Sequence, residues 1–108
     1  MTPQVFQILL ALADHDLHGY AIIKDIADRT GGQMRLTAST LYAALKRLLD
    51  DGLIEELDPP RDETDPRRRY YRLTRAGRTA GRAEAGRLDA LAGMARAKKW
   101  LPRRRPEH

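Results

Sequence analysis

The sequence predicts a mainly α fold with one small β-hairpin (α+β): a winged helix-turn-helix followed by a long C-terminal helix. Three observations carry this reading. Residues 37–52, TASTLYAALKRLLDDG, place Leu41, Leu45, Leu48 and Leu49 on one apolar helical stripe, between a threonine suited to an N-cap and a glycine suited to a helix stop. Two shorter helical patterns precede it, and two short strand patterns follow at once across a polar loop. Residues 75–99 then form one uninterrupted alanine- and arginine-rich run.

Each element has a local cause. Thr2 and Pro3 open the first helix as N-cap and N1, since proline lacks an N–H that would be unpaired there anyway. Val5, Ile8, Leu9 and Leu12 follow at helical spacing, and Phe6 and Leu10 widen the apolar arc, so this helix is expected to pack on two sides. Residues 14–19 read as a turn, with Asp16 placed to cap the next helix. That helix covers about residues 20–29, with Ala21, Ile22, Ile23, Ile26 and Ala27 as its buried side, Tyr20 as a further core aromatic, and Thr30, Gly31 and Gly32 as its stop. Thr37 caps the third helix and Gly52 ends it in the left-handed conformation. Leu53, Ile54 and Leu57 mark a short strand. Residues 58–66, DPPRDETDP, carry three prolines and four acids and must be a solvated loop. Residues 67–73 are the return strand, with Tyr71 and Leu73 on one face and Tyr70 and Arg72 on the other. Thr74 caps the last helix, about 37 Å long at 1.5 Å per residue. Ala76, Ala80, Ala83, Leu88, Leu91 and Ala95 give it a stripe near heptad spacing, and four glycines weaken it as an isolated helix, which argues for a partner.

Composition bounds the function. The 108 residues are enough for one domain plus an extension. With no cysteine there is no disulfide framework and no thiolate metal site, which fits a cytoplasmic setting. No stretch is apolar enough to span a membrane or act as a secretory leader. The net charge of +5 is unevenly spread: residues 1–74 carry 10 Lys and Arg against 12 Asp and Glu, residues 75–108 carry 10 against 3. A basic balance favours an anionic partner. The cluster Asp14, His15, Asp16 and His18 has metal-ligand chemistry but reads as turn and cap, so no metal or cofactor is expected. No nucleophile–base–acid set is present, which excludes the common hydrolytic enzymes.

The runs TLYAALKRLLDDGLIEE and RRRYYRLTRAG, with HGYAI at residues 18–22, resemble the PadR family of bacterial transcriptional regulators over about residues 4–80. The resemblance implies residues 1–74 as a DNA-binding domain, residues 75–100 as a dimerisation helix and residues 101–108 as a disordered basic tail. It implies a homodimeric repressor relieved by a small molecule, planar and aromatic in some relatives, with a constitutive or protein-controlled repressor as the alternative; a symmetric dimer would meet an inverted-repeat operator. Phe6, Leu10, Leu88, Leu91 and Ala95 are then the expected dimer contacts; Trp100 is expected first as an apolar anchor against the partner chain and, with Phe6, as the alternative effector residue.

The residues themselves point the same way. Opposite the leucine stripe lie Ser39, Thr40, Ala43, Lys46, Arg47 and Asp50, a short, polar, partly basic face. A major groove admits one helix, and small residues at its N-terminal end let it sit close. Thr37, Ser39 and Thr40 offer hydroxyls, Ala43 suits a thymine methyl, and Lys46 and Arg47 reach guanine or phosphate. Tyr42, at the edge of this face, offers its hydroxyl to the backbone, a role the resemblance also implies. Arg67, Arg68 and Arg69 suit phosphate or minor-groove contact from the wing, but Asp58, Asp62, Glu63 and Asp65 share the hairpin and are free either to pair with them or to repel the DNA backbone. The alternative is a winged-helix module that docks protein or RNA; a protein-docking face should be more apolar than this one.

Overall fold

The computed structural model describes residues 1–103. Its elements run in the order α1 (Pro3–Ala11), β1 (Leu17–His18), α2 (Gly19–Arg29), α3 (Ala38–Asp50), β2 (Ile54–Leu57), β3 (Tyr70–Leu73) and α4 (Arg75–Ala97). Three helices begin on the threonine caps the sequence predicts. The side-chain oxygens of Thr2, Thr37 and Thr74 accept from the amides of Val5, Thr40 and Gly77 at 3.2, 3.2 and 3.0 Å. Each supplies one first-turn donor with an acceptor it would otherwise lack. Helix α3 stops where expected. Gly52 turns left-handed at φ 72°, and the amides of Gly52 and Leu53 each donate at 3.0 Å to Leu49 and Leu48 respectively, a Schellman closure.

The core lies where α1, α2, α3 and the sheet meet. Ile8, Leu9, Leu12, Ile22, Ile26, Leu41, Leu45, Leu48, Ile54, Tyr71 and Leu73 are all buried there. The face alternation read for the return strand holds, with Tyr71 and Leu73 inward and Arg72 outward.

The wing differs from the expected two-stranded hairpin. The sheet has three antiparallel strands in the order β1-β3-β2, with Leu17 opposite Tyr71 and Ile54 opposite Leu73. Residues 14–19 are therefore not a simple turn, because β1 pairs the otherwise open edge of β3. Asp16 is not the cap of α2. It takes a forked contact from Arg72, at 2.9 Å to Nη2 and 3.3 Å to Nε, which pins β1 to the wing. The cap is His18, whose Nδ1 accepts from the amide of Ala21 at 3.2 Å. The return strand begins at Tyr70, because Asp65 accepts from the amides of Arg67 (2.9 Å) and Arg68 (3.2 Å) and holds residues 67–69 in a turn.

Helix α4 lies antiparallel along α1 at its start and then runs on past it, giving the molecule a 51 Å long axis. The face it packs within the chain lies one residue on from Ala76 and Ala83 of the stripe expected to meet a partner chain. Gly77 and Glu84 are buried, while Ala76 and Ala83 are exposed. Gly77 seats the helix against the Leu53 carbonyl, a contact no side chain permits. Positions 77, 84, 88, 91 and 95 continue one heptad face, which α1 covers only at its beginning. Trp100 follows a closed helix end. The amides of Lys99 and Trp100 donate at 2.9 Å to Arg96 and Ala95, with Lys99 left-handed at φ 64°, so α4 closes at Ala97 on a second Schellman turn. Residues 104–108 of the expected tail lie outside the described residues.

Candidate nucleic-acid interface

The exposed face of α3 carries all seven residues that the sequence assigned there to DNA contact. Thr37, Ser39, Thr40, Tyr42, Ala43, Lys46 and Arg47 are solvent-exposed, while Leu41, Leu45 and Leu48 on the other side are buried. This division follows from the periodicity alone. The hydroxyls at the helix start form a small cluster, with Thr37 Oγ1 at 3.0 Å from Thr40 Oγ1 and 3.3 Å from Ser39 Oγ. Lys46 makes a loose, open ion pair with Asp50 at 3.4 Å, the kind of exposed contact that contributes little and yields readily to a phosphate. Arg47 lies on the far edge of the face, beside Met1, Thr2 and Val5 at the start of α1. Tyr42 lies on the near edge, 53 % exposed, with its phenol laid across Gly19 of α2.

The wing arginines are brought to the same side, each with an acidic partner. Arg67 meets Asp65 at 3.3 Å, Arg68 meets Glu63 at 3.1 Å, and Arg69 meets Glu56 at 3.4 Å and Asp58 at 3.8 Å. The acidic loop thus pairs with the arginines, one of the two outcomes the sequence allowed. The three pairs are not equivalent. The Glu63 side chain is only 9 % exposed and accepts from both Arg68 and the Tyr70 hydroxyl, each at 3.1 Å. Desolvation pulls its pKa upward, but the bonds from Arg68, Tyr70 and the Thr64 amide outweigh that and hold it below the ordinary carboxylate value. Asp65 is held low chiefly by the Arg67 amide and side chain. Arg67 is almost fully exposed and Arg69 more than half, so these two guanidiniums can exchange a carboxylate for a phosphate at little expense.

His18 joins the wing to α2. Its ring meets Tyr70 edge-on at 5.4 Å and its Nε2 lies 3.3 Å from Arg68 Nη1. Because Nδ1 accepts from Ala21, the neutral ring carries its proton on Nε2, facing a second donor. Burial, then the Arg68 charge, lowers the His18 pKa, against a smaller opposing pull from Glu63.

Other assigned residues sit elsewhere. Phe6 and Leu10 of α1 line an apolar groove of about 210 Å³ against Gly81 and Ala85 of α4. Leu88, Leu91 and Met94 form an exposed apolar stripe beyond it, Leu91 being 47 % exposed, with Ala95 half-buried beside them. Met94 was missed, although it stands three residues after Leu91. Trp100 is 82 % exposed and is not brought near Phe6 within the chain, since α4 runs on about 20 Å from Ala85 to its end. Among the described residues, no three His, Cys, Asp or Glu side chains gather as a metal site, and no helix is long and apolar enough to cross a membrane.

The largest misreading is Tyr20. It is not a core aromatic but is 71 % exposed, on the same groove as Tyr42 and the wing arginines. The signal was available: at 3.6 residues per turn, position 20 lies about 160° round the helix from Ile22, opposite the buried side.

Comparison with known proteins places this geometry. The family described as "Transcriptional regulator PadR-like family" matches residues 8–83, well over half the chain. The uncharacterized protein X of Lysinibacillus sphaericus is 35% identical over 72 residues, which are 66% of this chain and 64% of that one, so the chain spans a little under two thirds of that relative's length. Among solved structures, a transcriptional regulator from Clostridium thermocellum superposes with a TM-score of 0.76 at 26% identity, over 92% of this chain and 90% of that one. Bacillus subtilis PadR in complex with operator DNA gives a TM-score of 0.65 at 24% identity, over 100% of this chain and 51% of that one.

Proposed function

The chain belongs to the PadR-like family of transcriptional regulators, and we propose that it is a sequence-specific, homodimeric DNA-binding repressor acting on an inverted-repeat operator. The observation that carries the reading is the exposed face of α3. It is short, polar and basic where a helix must enter a major groove, and it stands beside a wing tipped with arginine. An enzyme is excluded by the family and its structural neighbours, which are regulators. A protein-docking module would expose a more apolar α3 face; here hydroxyls and two cations surround Ala43 and the Tyr42 ring. The operator complex of Bacillus subtilis PadR, which shares the fold, fits the same reading.

In this account Ser39, Thr40, Ala43 and Lys46 approach base edges. Thr37, Tyr42, Arg47, Arg67, Arg68 and Arg69 hold the backbone, which fixes register without reading sequence. Residues 1–74 bind DNA and α4 joins two copies through Leu88, Leu91 and Ala95, with Phe6 and Leu10 of the partner's α1 region beside them. The exposed stripe on α4 supports this, because α1 covers only the first part of a face that continues to Ala95. The groove between α1 and α4 is smaller than the roughly 300 Å³ of an ordinary small-molecule site. A second copy closing over it would complete a pocket for a small aromatic effector, with Trp100 of the other chain as a wall. Nuclease footprinting of DNA upstream of the protein's own gene tests the proposal. The expected result is a two-fold symmetric protected region with half-sites a whole number of turns apart. An asymmetric footprint, or none, would count against a dimeric repressor.

A further inference from the structure

We propose that Tyr20 is a DNA-backbone residue: its hydroxyl, with that of Tyr42, donates to one phosphate of the strand that passes between the wing and the loop ahead of α3. The inference rests on the DNA-binding reading above and adds a contact outside the recognition helix.

Two open grooves meet at Tyr20. One, of about 550 Å³, lies between the first turn of α2, Tyr42 and the three wing arginines. The other lies along α2 and takes Arg35, Lys24 and the latter's exposed ion-pair partner Asp28 into its wall. Tyr20 is the residue common to both, so it stands on the crest of a path with cations at each end. A large aromatic left 71 % exposed gains nothing for the core. What it offers is one hydroxyl donor on the same groove as that of Tyr42. Gly19 is what brings the Tyr42 hydroxyl into place. A Cβ at Gly19 would stand 2.6 Å from the Tyr42 hydroxyl oxygen and 3.1 Å from its ring carbon, so any side chain there drives the Tyr42 phenol away. Two phenols and flanking guanidiniums suit a single anionic oxygen cluster, and a DNA strand supplies one at every nucleotide.

The test is fluorescence anisotropy of the full chain and its Tyr20→Phe and Tyr20→Ala variants, with an operator duplex and a scrambled duplex across a salt series. Both variants should lose about tenfold in affinity, as expected for a hydrogen bond to a charged group. The loss should be equal on both duplexes, because a phosphate contact carries no sequence information. The salt slope should not change, because tyrosine is neutral, whereas Arg67→Ala should flatten it. A scan of single neutral methylphosphonate substitutions adds a positional readout. One phosphate that matters to the unmodified protein should cease to matter to Tyr20→Phe. Unchanged affinity in both variants, or loss on the operator duplex alone, would overturn the assignment. If the unmodified protein binds neither duplex, the DNA-binding reading itself fails.

Discussion

Gly77→Ala and Gly86→Ala are the same substitution in the same helix, and the structure gives them opposite signs. In a helix interior the exchange contributes about 1 kcal/mol of stability through backbone entropy. At Gly86 nothing lies within 4 Å of the added methyl, so that gain is kept. At Gly77 the methyl lands on the carbonyl oxygen of Leu53, with Leu73 Cδ2 only 3.1 Å away. The carbonyl has no freedom to turn aside, since it accepts from the Thr74 amide at 3.1 Å. Helix α4 must lift instead, straining that bond and the 2.7 Å bond from the Thr74 hydroxyl to Gly52. Two hydrogen bonds at about 1 kcal/mol each, with an overpacking term of about 1–3 kcal/mol, outweigh the helical gain. Gly77→Ala should therefore lose about 2 kcal/mol or more and Gly86→Ala gain about 1, a separation near 3 kcal/mol. Urea unfolding followed by circular dichroism measures both, at one fixed concentration because an associating protein's stability depends on it. A Gly77→Ala protein as stable as the unsubstituted one, or a Gly86→Ala protein equally weakened, would refute the seating of α4 on the domain.

Three other outcomes are expected. Leu91→Glu puts a charge in the exposed stripe without touching the domain core, so sedimentation velocity should find monomers with an unaltered circular dichroism spectrum; an intact dimer would remove α4 from the interface. Asp65→Asn removes the charged partner of Arg67 while keeping an acceptor for its amide, and should tighten DNA binding about 1.4- to 5-fold per half-site, the range of one exposed charge pair; weaker binding would mean the acidic loop supports the wing's DNA geometry. The depressed pKa of His18 favours its neutral form in the folded chain, so its contribution is complete above the unfolded value near 6.5 and fades as pH falls towards the folded one. His18→Asn, which keeps a capping side chain, should reduce the loss of stability between pH 7.5 and 5.5 in urea titrations, and an identical loss would discount His18.

What was legible in the sequence was local. A threonine before an apolar periodic run, or a glycine after one, acts within four residues, so Thr2, Thr37, Thr74 and Gly52 could be read directly. The exposed face of α3 followed from its period. What escaped was set by partners distant in the chain. Strand β1 is two residues long and has no period of its own; it exists because β3 offers an edge and Arg72 reaches Asp16, 56 residues away. The face that α4 buries within the chain could not be read from its alanines, because it is chosen by how closely Gly77 approaches Leu53, not by which residues are most apolar. The wing arginines were correctly placed at the hairpin, but which carboxylate each meets depends on the loop's turn at Asp65. Tyr20 was legible and misread, because its aromatic character was weighed above its angle on the wheel.

The central claim, sequence-specific DNA binding by the α3 face, is tested most directly by anisotropy titration of the full chain. The probes are duplex DNA from upstream of its own gene and a scrambled duplex of the same composition, across a salt series. The account predicts tight binding to the upstream duplex, weaker binding to the scrambled one, and a fall in affinity of about a thousandfold or more between 50 and 200 mM salt as several phosphates are engaged. Ser39→Ala combined with Lys46→Ala should bring the two duplexes towards equal affinity. Equal, weak binding to both by the unsubstituted chain would contradict the account and leave only non-specific attraction to a basic protein.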